Sequence, residues 1–539
     1  MPPSASLRWL ANRAWIASCS REHARFKAAL GRPAEMQSRL LLELLRRNAS
    51  TRFGRRHGFE TIRSVAEFQE RVPIADYDAF VNDIESIARG EAGVLTRDRV
   101  TRFQPTSGSA AATKLIPWTA SLGREFQRGI APWVAELYRR KPALLRGTSY
   151  WSISPPGTAP LTHGCLPVGF DHDARYLGFL GRMLFPLVSS TPPGLARCRD
   201  MEEFRRRTLV SLLADANLCL VSVWSPTFLT ALLDDFLARP DEILRALGRT
   251  GLDRSNKRAD QIRSLLGRGP HATFFQDVWP RLQVISCWTH GPSELYAGEL
   301  GLRFPGVEIQ GKGLVATEAF VTLPFLPERG PLLALTSHFF EFQEIEGGSI
   351  LLAHELRDNQ VCRVIVTTGG GLYRYSLHDL VRVTGFVQAT PCLRFIGREG
   401  NVSDLFGEKL HGTFVQDAVR RVLVEHRVDA RFFLLAPAAS SGRETVYSLF
   451  LDAGRISDPA AIAASLERGL RENFHYAHCR NLGQLGPVRL FQIDRDASPP
   501  EMVFHEEMCR RGMRVGDAKA APLDASCGWE SRFKGRYIA

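Results

Sequence analysis

From about Val100 onward, short apolar runs alternate with stretches of helical period, and this pattern restricts the fold more than any other feature of the chain. Leu218-Cys219-Leu220-Val221-Ser222-Val223-Trp224 and Leu282-Gln283-Val284-Ile285-Ser286-Cys287-Trp288 read as strands, with helices expected over 227–237 and 241–247. Strands that alternate with helices favour an α/β sheet. The first hundred residues read as amphipathic helices, as at 36–47 and 64–70, and Asp76 is placed to cap a helix that runs through Ile87. Residues 348–386 are richer in strand, with Ile350-Leu351-Leu352-Ala353 and Val361-Cys362-Arg363-Val364-Ile365-Val366 expected to be antiparallel and Gly369-Gly370-Gly371 interrupting them. From Leu393 the order is strand (393–396), helix (412–425), strands (431–436 and 445–451), helix (458–470) and strand (488–493). That βαββαβ order is a split βαβ unit. With 539 residues there is room for more than one core. The expected fold is therefore α/β: a large N-terminal body of sheets and helices over 1–397, and a smaller, mobile α+β domain over 398–539 with a hinge near 397–407.

Composition narrows the function classes. There are 69 Lys and Arg against 57 Asp and Glu, a net charge of +12, but the basic residues are scattered. Arg55-Arg56 and Arg205-Arg206-Arg207 carry no interleaved aromatics, so the charge points to small anionic ligands such as nucleotides and carboxylates, not to nucleic acid. A codon bias toward arginine gives the same count. Ten cysteines are spread singly from Cys19 to Cys527 with no zinc spacing, which suits reduced thiols and the cytosol. Arg8, Arg13, Arg21 and Glu22 interrupt the N-terminal apolar residues, so no signal peptide is expected. Asp215, Pro226, Asp234 and Asp235 break the longest apolar region and argue against a membrane span. The sequence has no Gly-x-Ser-x-Gly elbow and no His-Glu-x-x-His. His163, His290, His338 and His411 stand alone, and His163 with Cys165 lacks an orienting third group.

The chemistry lies in five patches. Thr106-Ser107-Gly108-Ser109-Ala110-Ala111-Ala112-Thr113-Lys114 combines hydroxyls, a glycine and a lysine, a set suited to holding phosphate, although a plain turn of small residues has the same composition. It is not a Walker loop, because Thr113 stands in the place of the second glycine and Leu115 follows Lys114. Gly306-Val307-Glu308-Ile309-Gln310-Gly311-Lys312 matches that motif better in number but ends in Gly313, and reads as a turn and short strand. Thr317-Glu318 pairs a hydroxyl with a carboxylate, as magnesium and a phosphate oxygen require, or is a solvated loop pair. Asp379 follows a strand-like alternation. It can accept both hydroxyls of a ribose, or pair with Arg374 or Arg382 on a sheet face. Arg398 with Gly407-Glu408-Lys409 opens the last domain, and Lys534 lies in the basic tail.

Taken in order, these patches resemble the auxin-responsive acyl-acid amido synthetases of the adenylate-forming superfamily, which also holds firefly luciferase and acyl-CoA synthetases. The resemblance runs from Thr51-Arg52-Phe53-Gly54 and Val72-Pro73-Ile74 through the Thr106–Lys114 loop to Leu314-Val315-Ala316-Thr317-Glu318. It continues in Gly371 to Val383, Gly397-Arg398, Gly407-Glu408-Lys409 and Gly483-Gln484-Leu485-Gly486-Pro487. Three departures stand out. Leu314 replaces a usual Tyr, Ala110-Ala111 thins the loop, and the tail lacks the Pro usual before Arg536. The resemblance implies ATP and Mg2+, with AMP and pyrophosphate as products. Ser107, Gly108, Ser109, Lys114, Thr317, Glu318, Asp379, Arg398 and Lys409 would bind the nucleotide. Glu318 would hold the magnesium, and Lys534, Lys409 and Glu318 would serve catalysis. It also implies an acyl pocket between the motifs, for which apolar character and nearness to strand ends suggest Trp151, Val223, Trp224, Phe228 and Leu314, although for each taken singly ordinary core is the better explanation. The implied partners are a small carboxylic acid and an amino acid or other amine, in a monomeric cytoplasmic enzyme without nucleic-acid or membrane partners. An acyl-CoA ligase and a non-catalytic nucleotide-binding relative are the alternatives.

Overall fold

In the computed structural model, Thr148–Trp151, Leu218–Ser222, Val284–Cys287 and Glu308–Gly311 form a four-stranded parallel sheet in that order. The described residues are 4–539 except 107–113, 153–161, 170–177, 193, 196–197, 199–200, 250–252, 270, 327–328, 400–401, 440–444, 455, 496–497 and 512–520. Both faces of the sheet are covered, which is why its two central strands are mostly apolar. Leu220 and Val284 pack into the core shared with the helix Ala120–Arg140, whereas Val221 and Ile285, one residue on, join the core formed with helices Met201–Ala214 and Pro226–Ala238. A tryptophan stands within two residues of the carboxyl end of three strands: Trp151, Trp224 and Trp288.

A seven-stranded antiparallel sheet stands beside it, ordered Ile350–Leu352, Phe339–Glu344, Val361–Thr367, Tyr375–Val387, Thr390–Arg398, Gly330–Leu333, Thr322–Leu326. The N-terminal helices fasten onto it. Gln37 of the helix Pro33–Asn48 donates to the carbonyls of Leu335 (2.6 Å) and His338 (2.8 Å) and accepts from the Phe340 amide at 2.8 Å. The Gly369 amide donates to both oxygens of the buried Glu125 (3.0 and 2.8 Å), so the glycine triplet is where the long helix docks. Asp76 precedes a short 3-10 turn, but its side chain makes no cap. It lies 2.8 Å from His378 Nε2, an attraction between elements that outcompetes the local bond.

The last sheet pairs Ala430–Ala439 antiparallel to Thr445–Ala453, which runs parallel to Arg489–Ile493, with Gly535–Tyr537 antiparallel on the edge. Period two sorts its side chains. Leu435, Leu449 and Leu451 meet helices Gly412–Glu425 and Pro459–Leu470, while Phe432, Leu434 and Phe450 meet Phe504, Trp529 and Phe533. The expected order of elements holds, but residues 393–396 pair elsewhere. They belong to Thr390–Arg398 and hydrogen-bond across a hairpin to Tyr375–Val387, while the tail strand Gly535–Tyr537 forms one edge of the small sheet. Alternation specifies a strand but not its partner, and here the adjacent hairpin wins.

The small unit meets the body through Tyr296, which joins the Phe432–Trp529 cluster, and through Glu294, which accepts from Arg394 at 2.8 Å and Arg420 at 3.1 Å. All ten cysteines are free thiols. Among the described residues no helix is long and apolar enough to cross a membrane.

Candidate active site

Strands Arg102–Pro105 and Leu115–Trp118 form an antiparallel hairpin that closes with a 2.9 Å bond from the Thr106 amide to the Lys114 carbonyl. Ser107, Gly108 and Ser109 lie outside the described residues. Lys114 stands at the base, its ammonium 5.8 Å above the ring of Tyr77. The Tyr77 hydroxyl accepts from the Leu115 amide at 2.8 Å, which braces the hairpin against the N-terminal helices.

Thr317 and Glu318 sit on a tight loop between the last parallel strand and the antiparallel sheet. The Leu314 amide donates to Thr322 Oγ1 (2.7 Å), and the Ala316 amide to the Ala319 carbonyl (2.9 Å). Gly313 permits this closure: its φ is +75°, and a Cβ there would lie 2.4 Å from Thr322 Oγ1. Glu318 is buried, and the Tyr375 hydroxyl approaches its Oε1 at 3.5 Å. Asp379 and Arg398 face each other in register across the hairpin of the antiparallel sheet, with Nε 4.0 Å from Oδ1. Arg374, the alternative partner, is committed elsewhere: its guanidinium holds Glu341 and the carbonyls of Gln69 and Val72.

These groups feel one another. Burial raises the Glu318 carboxyl above its ordinary range, the Arg398 charge opposes this, Asp379 adds to it and Lys114 opposes it. Residues 114, 318, 379 and 398 thus converge from a hairpin, a loop and two strands that are remote in sequence. Two carboxylates beside two cations can share phosphate, hydroxyl and divalent-cation contacts. Among the described residues no group of three or more metal-ligating side chains gathers. A lone carboxylate suits magnesium that arrives on phosphate oxygens and keeps most of its water.

The small unit contributes two exposed lysines. Lys409 has a φ of +44° and its carbonyl accepts from Asn473 at 3.3 Å, while the Lys534 carbonyl accepts from the Asp494 amide at 2.9 Å. In this arrangement neither ammonium makes an ion pair among the described residues. Glu408, next to Lys409, is fully buried. It accepts from the amides of Leu405 (2.9 Å) and Phe406 (2.8 Å) and lies 2.5 Å from the Tyr447 hydroxyl. It staples the loop that presents Lys409. Glu408→Ala leaves these donors unmet and is expected to destabilise the small unit by about 2–3 kcal/mol. Limited proteolysis would register this as faster cleavage near residues 404–410, and unchanged cleavage would remove the staple from the account.

Of the five expected acyl-pocket residues, Val223 and Phe228 lie in the core beside the helices, and Leu314 is buried in the main core. Trp151 and Trp224 instead flank Lys312, which the sequence had placed in an unremarkable turn. Lys312 is buried, donates to Ser222 Oγ at 2.5 Å, and lies 4.9, 5.8 and 5.3 Å from the rings of Trp133, Trp151 and Trp224. Burial pushes its pKa down to about 7, and the Cys287 thiol slightly opposes this. Part of the signal for this site was present: two predicted strands, 218–224 and 282–288, end on tryptophan, and Lys312 follows a short predicted strand. In parallel sheets that end is where ligands bind.

The GH3 family N-terminal domain model matches residues 22–309 and the GH3 central domain model residues 331–398. The chain belongs to the GH3 family. The putative indole-3-acetic acid-amido synthetase GH3.10 of Oryza sativa subsp. japonica is 24% identical over 423 residues, covering 72% of this chain and 82% of that one. The probable indole-3-acetic acid-amido synthetase GH3.1 of the same plant is 25% identical over 506 residues, 84% and 82% of the two chains. Among solved structures, the GH3.15 acyl acid amido synthetase superposes with a TM-score of 0.79 at 18% identity, covering 96% of each chain. Its complex with 2,4-DB gives 0.80. At such identity the likeness to these GH3 structures is one of fold.

Proposed function

We propose that this GH3-family protein is an AMP-forming acyl-acid amido synthetase that adenylates a carboxylic acid and passes the acyl group to an amino acid or other amine. The observation that carries the reading is the electrostatic grouping of Glu318, Asp379, Arg398 and Lys114, the last at the end of the hairpin formed by Arg102–Pro105 and Leu115–Trp118. A carboxylate does not react with amines, because oxide is a poor leaving group. Attack of a carboxylate oxygen on the α-phosphorus of ATP breaks the bond to pyrophosphate and yields an acyl-adenylate. The amine then attacks the acyl carbon, the bond to AMP breaks, and the amine proton passes to solvent.

Each residue has a place in this scheme. Asp379 accepts from the ribose hydroxyls. Ser107, Ser109 and Thr317 donate to phosphate, Gly108 lets the backbone approach it, and Lys114 and Arg398 offset its charge. Glu318 would hold the magnesium that comes with ATP, whose charge would offset that of the pyrophosphate. Division of the chain into a body over 1–397 and a cap over 398–539 would let Lys409 and Lys534, both carried by the cap, approach the nucleotide. Rotation of the cap between half-reactions keeps water from the adenylate. The reading places the enzyme in the cytoplasm as a monomer.

The test is acid-dependent exchange of pyrophosphate into ATP across a panel of carboxylic acids, followed by product mass with amino acids and with coenzyme A. Amides are the expected product. Thioesters alone would make the chain an acyl-CoA ligase, and ATP binding without exchange a binding protein. Asp379→Asn loses hydrogen bonds to a charged acceptor and is expected to raise the KM for ATP about 10- to 100-fold. An unchanged KM would remove Asp379 from the ribose site.

A further inference from the structure

Lys312 is used by none of these steps, yet its surroundings are those of a binding site. The strand residues Trp151, Ser222, Ser286 and Gln310 stand in register across the parallel sheet, and Lys312 lies two residues beyond Gln310 on the same face. Gln310 is engaged by the Trp133 indole, whose N–H donates to it at 2.8 Å. Ser222 accepts from the ammonium. Ser286 is fully buried and its hydroxyl has no hydrogen-bond partner among the described residues. A buried hydroxyl left unpaired costs free energy that an incoming acceptor would recover.

The cation itself is similarly incomplete. Among the described residues Lys312 makes no ion pair, and one of its three N–H bonds is spent on Ser222. The three indoles offer their faces to the charge, which offsets part of the desolvation but supplies no acceptor. Its ammonium is influenced by burial and by Cys287, whereas Glu318 is influenced by Arg398, Asp379 and Lys114. Lys312 is thus electrostatically apart from the proposed nucleotide site.

We propose that Lys312 and Ser286 anchor a second oxygen function at the far end of the acyl acid, so that the preferred acids are ring-bearing and carry a second carboxylate or a phenolic oxygen. The proposal rests on the adenylating reading for the word "acyl", but the anchor can be tested by binding alone. Two free N–H bonds and one hydroxyl match the lone pairs of one carboxylate. The three indole faces around the ammonium supply the aromatic surface that would favour a ring. The carboxyl to be activated would point away from Lys312, toward the Glu318 group, which keeps its oxygens free to attack phosphorus.

The experiment compares benzoate with isophthalate, terephthalate and 4-hydroxybenzoate on wild type, Lys312→Met and Ser286→Ala. Two readouts are used: tryptophan fluorescence for binding, and hydroxylamine trapping of the activated acid for turnover. Wild type is expected to favour the acids with a second oxygen by about 10- to 100-fold, in line with a hydrogen-bonded charge. Lys312→Met should abolish that preference without changing the KM for ATP, and Ser286→Ala should reduce it. Methionine removes a buried charge and keeps the length of the side chain, so the fold is expected to survive; Ser286→Ala provides the second reading if it does not. Turnover that favours benzoate, with the same ratio in both variants, would overturn the anchor and leave the reaction standing. Binding of a ring dicarboxylate that Lys312→Met loses, with no acid ever trapped, would support the anchor and overturn the reaction. Neither binding nor turnover of any acid with a second oxygen would overturn the anchor.

Discussion

Lys534→Ala is expected to slow acyl-adenylate formation by about 10²- to 10³-fold, the usual loss when one donor to developing charge is removed. ATP binding should change little, because the Lys534 ammonium makes no ion pair among the described residues. The structure makes this a clean substitution. Phe533, the preceding residue, is buried and stacks on Trp529 with ring centroids 5.2 Å apart. Gly535, the following one, lies so close to the neighbouring strand that a Cβ would stand 2.2 Å from the Gln492 carbonyl. The backbone of Lys534 is therefore fixed on both sides while its side chain is exposed. Removing the ammonium should leave packing intact. Pyrophosphate exchange is the measurement. Normal exchange together with slow amide formation would move Lys534 from the first half-reaction to the second.

Glu341→Ala is expected to destabilise the body by about 3–5 kcal/mol, the range for breaking a buried ion pair from one side. Glu341 is 1% exposed in its side chain and Arg374 is 6% exposed, and their charged atoms approach to 3.0 Å. Arg374 also donates to the Gln69 and Val72 carbonyls, and Gln69 donates to Glu341 at 2.9 Å, so the pair ties the helix Val65–Arg71 to the central sheet. Without Glu341 the guanidinium remains buried and uncompensated. The first unfolding transition in urea should shift to lower concentration, and adding Arg374→Met should recover much of the loss. If the double variant is no more stable than the single one, the unpaired charge is not the cause.

How much of this was legible in the sequence can be followed residue by residue. The helices 412–425 and 459–470 and the strands 218–222 and 445–453 are near their expected positions, because their apolar periods are long and unambiguous. Asp379 was recognisable as a carboxylate at the right place in a pattern, but its neighbour was not. Arg374 and Arg382 are closer in the chain, yet hairpin register delivers Arg398. Val223 and Phe228 lie in the core beside the helices, and apolar residues near strand ends serve core and pocket alike. Lys312 shows the converse: in one dimension it is a charge between two glycines, and a solvated turn is the natural reading.

The sequence by itself determined the class of fold, the order of elements and the kinds of side chain available to a site. These follow from local period and composition, which a chain carries in one dimension. Tertiary structure alone decided which strand takes the edge of the last sheet, which arginine meets Asp379, and that a lysine lies buried among three tryptophans. Those outcomes depend on pairings between segments far apart in sequence, where register and burial, not propensity, settle which contacts form.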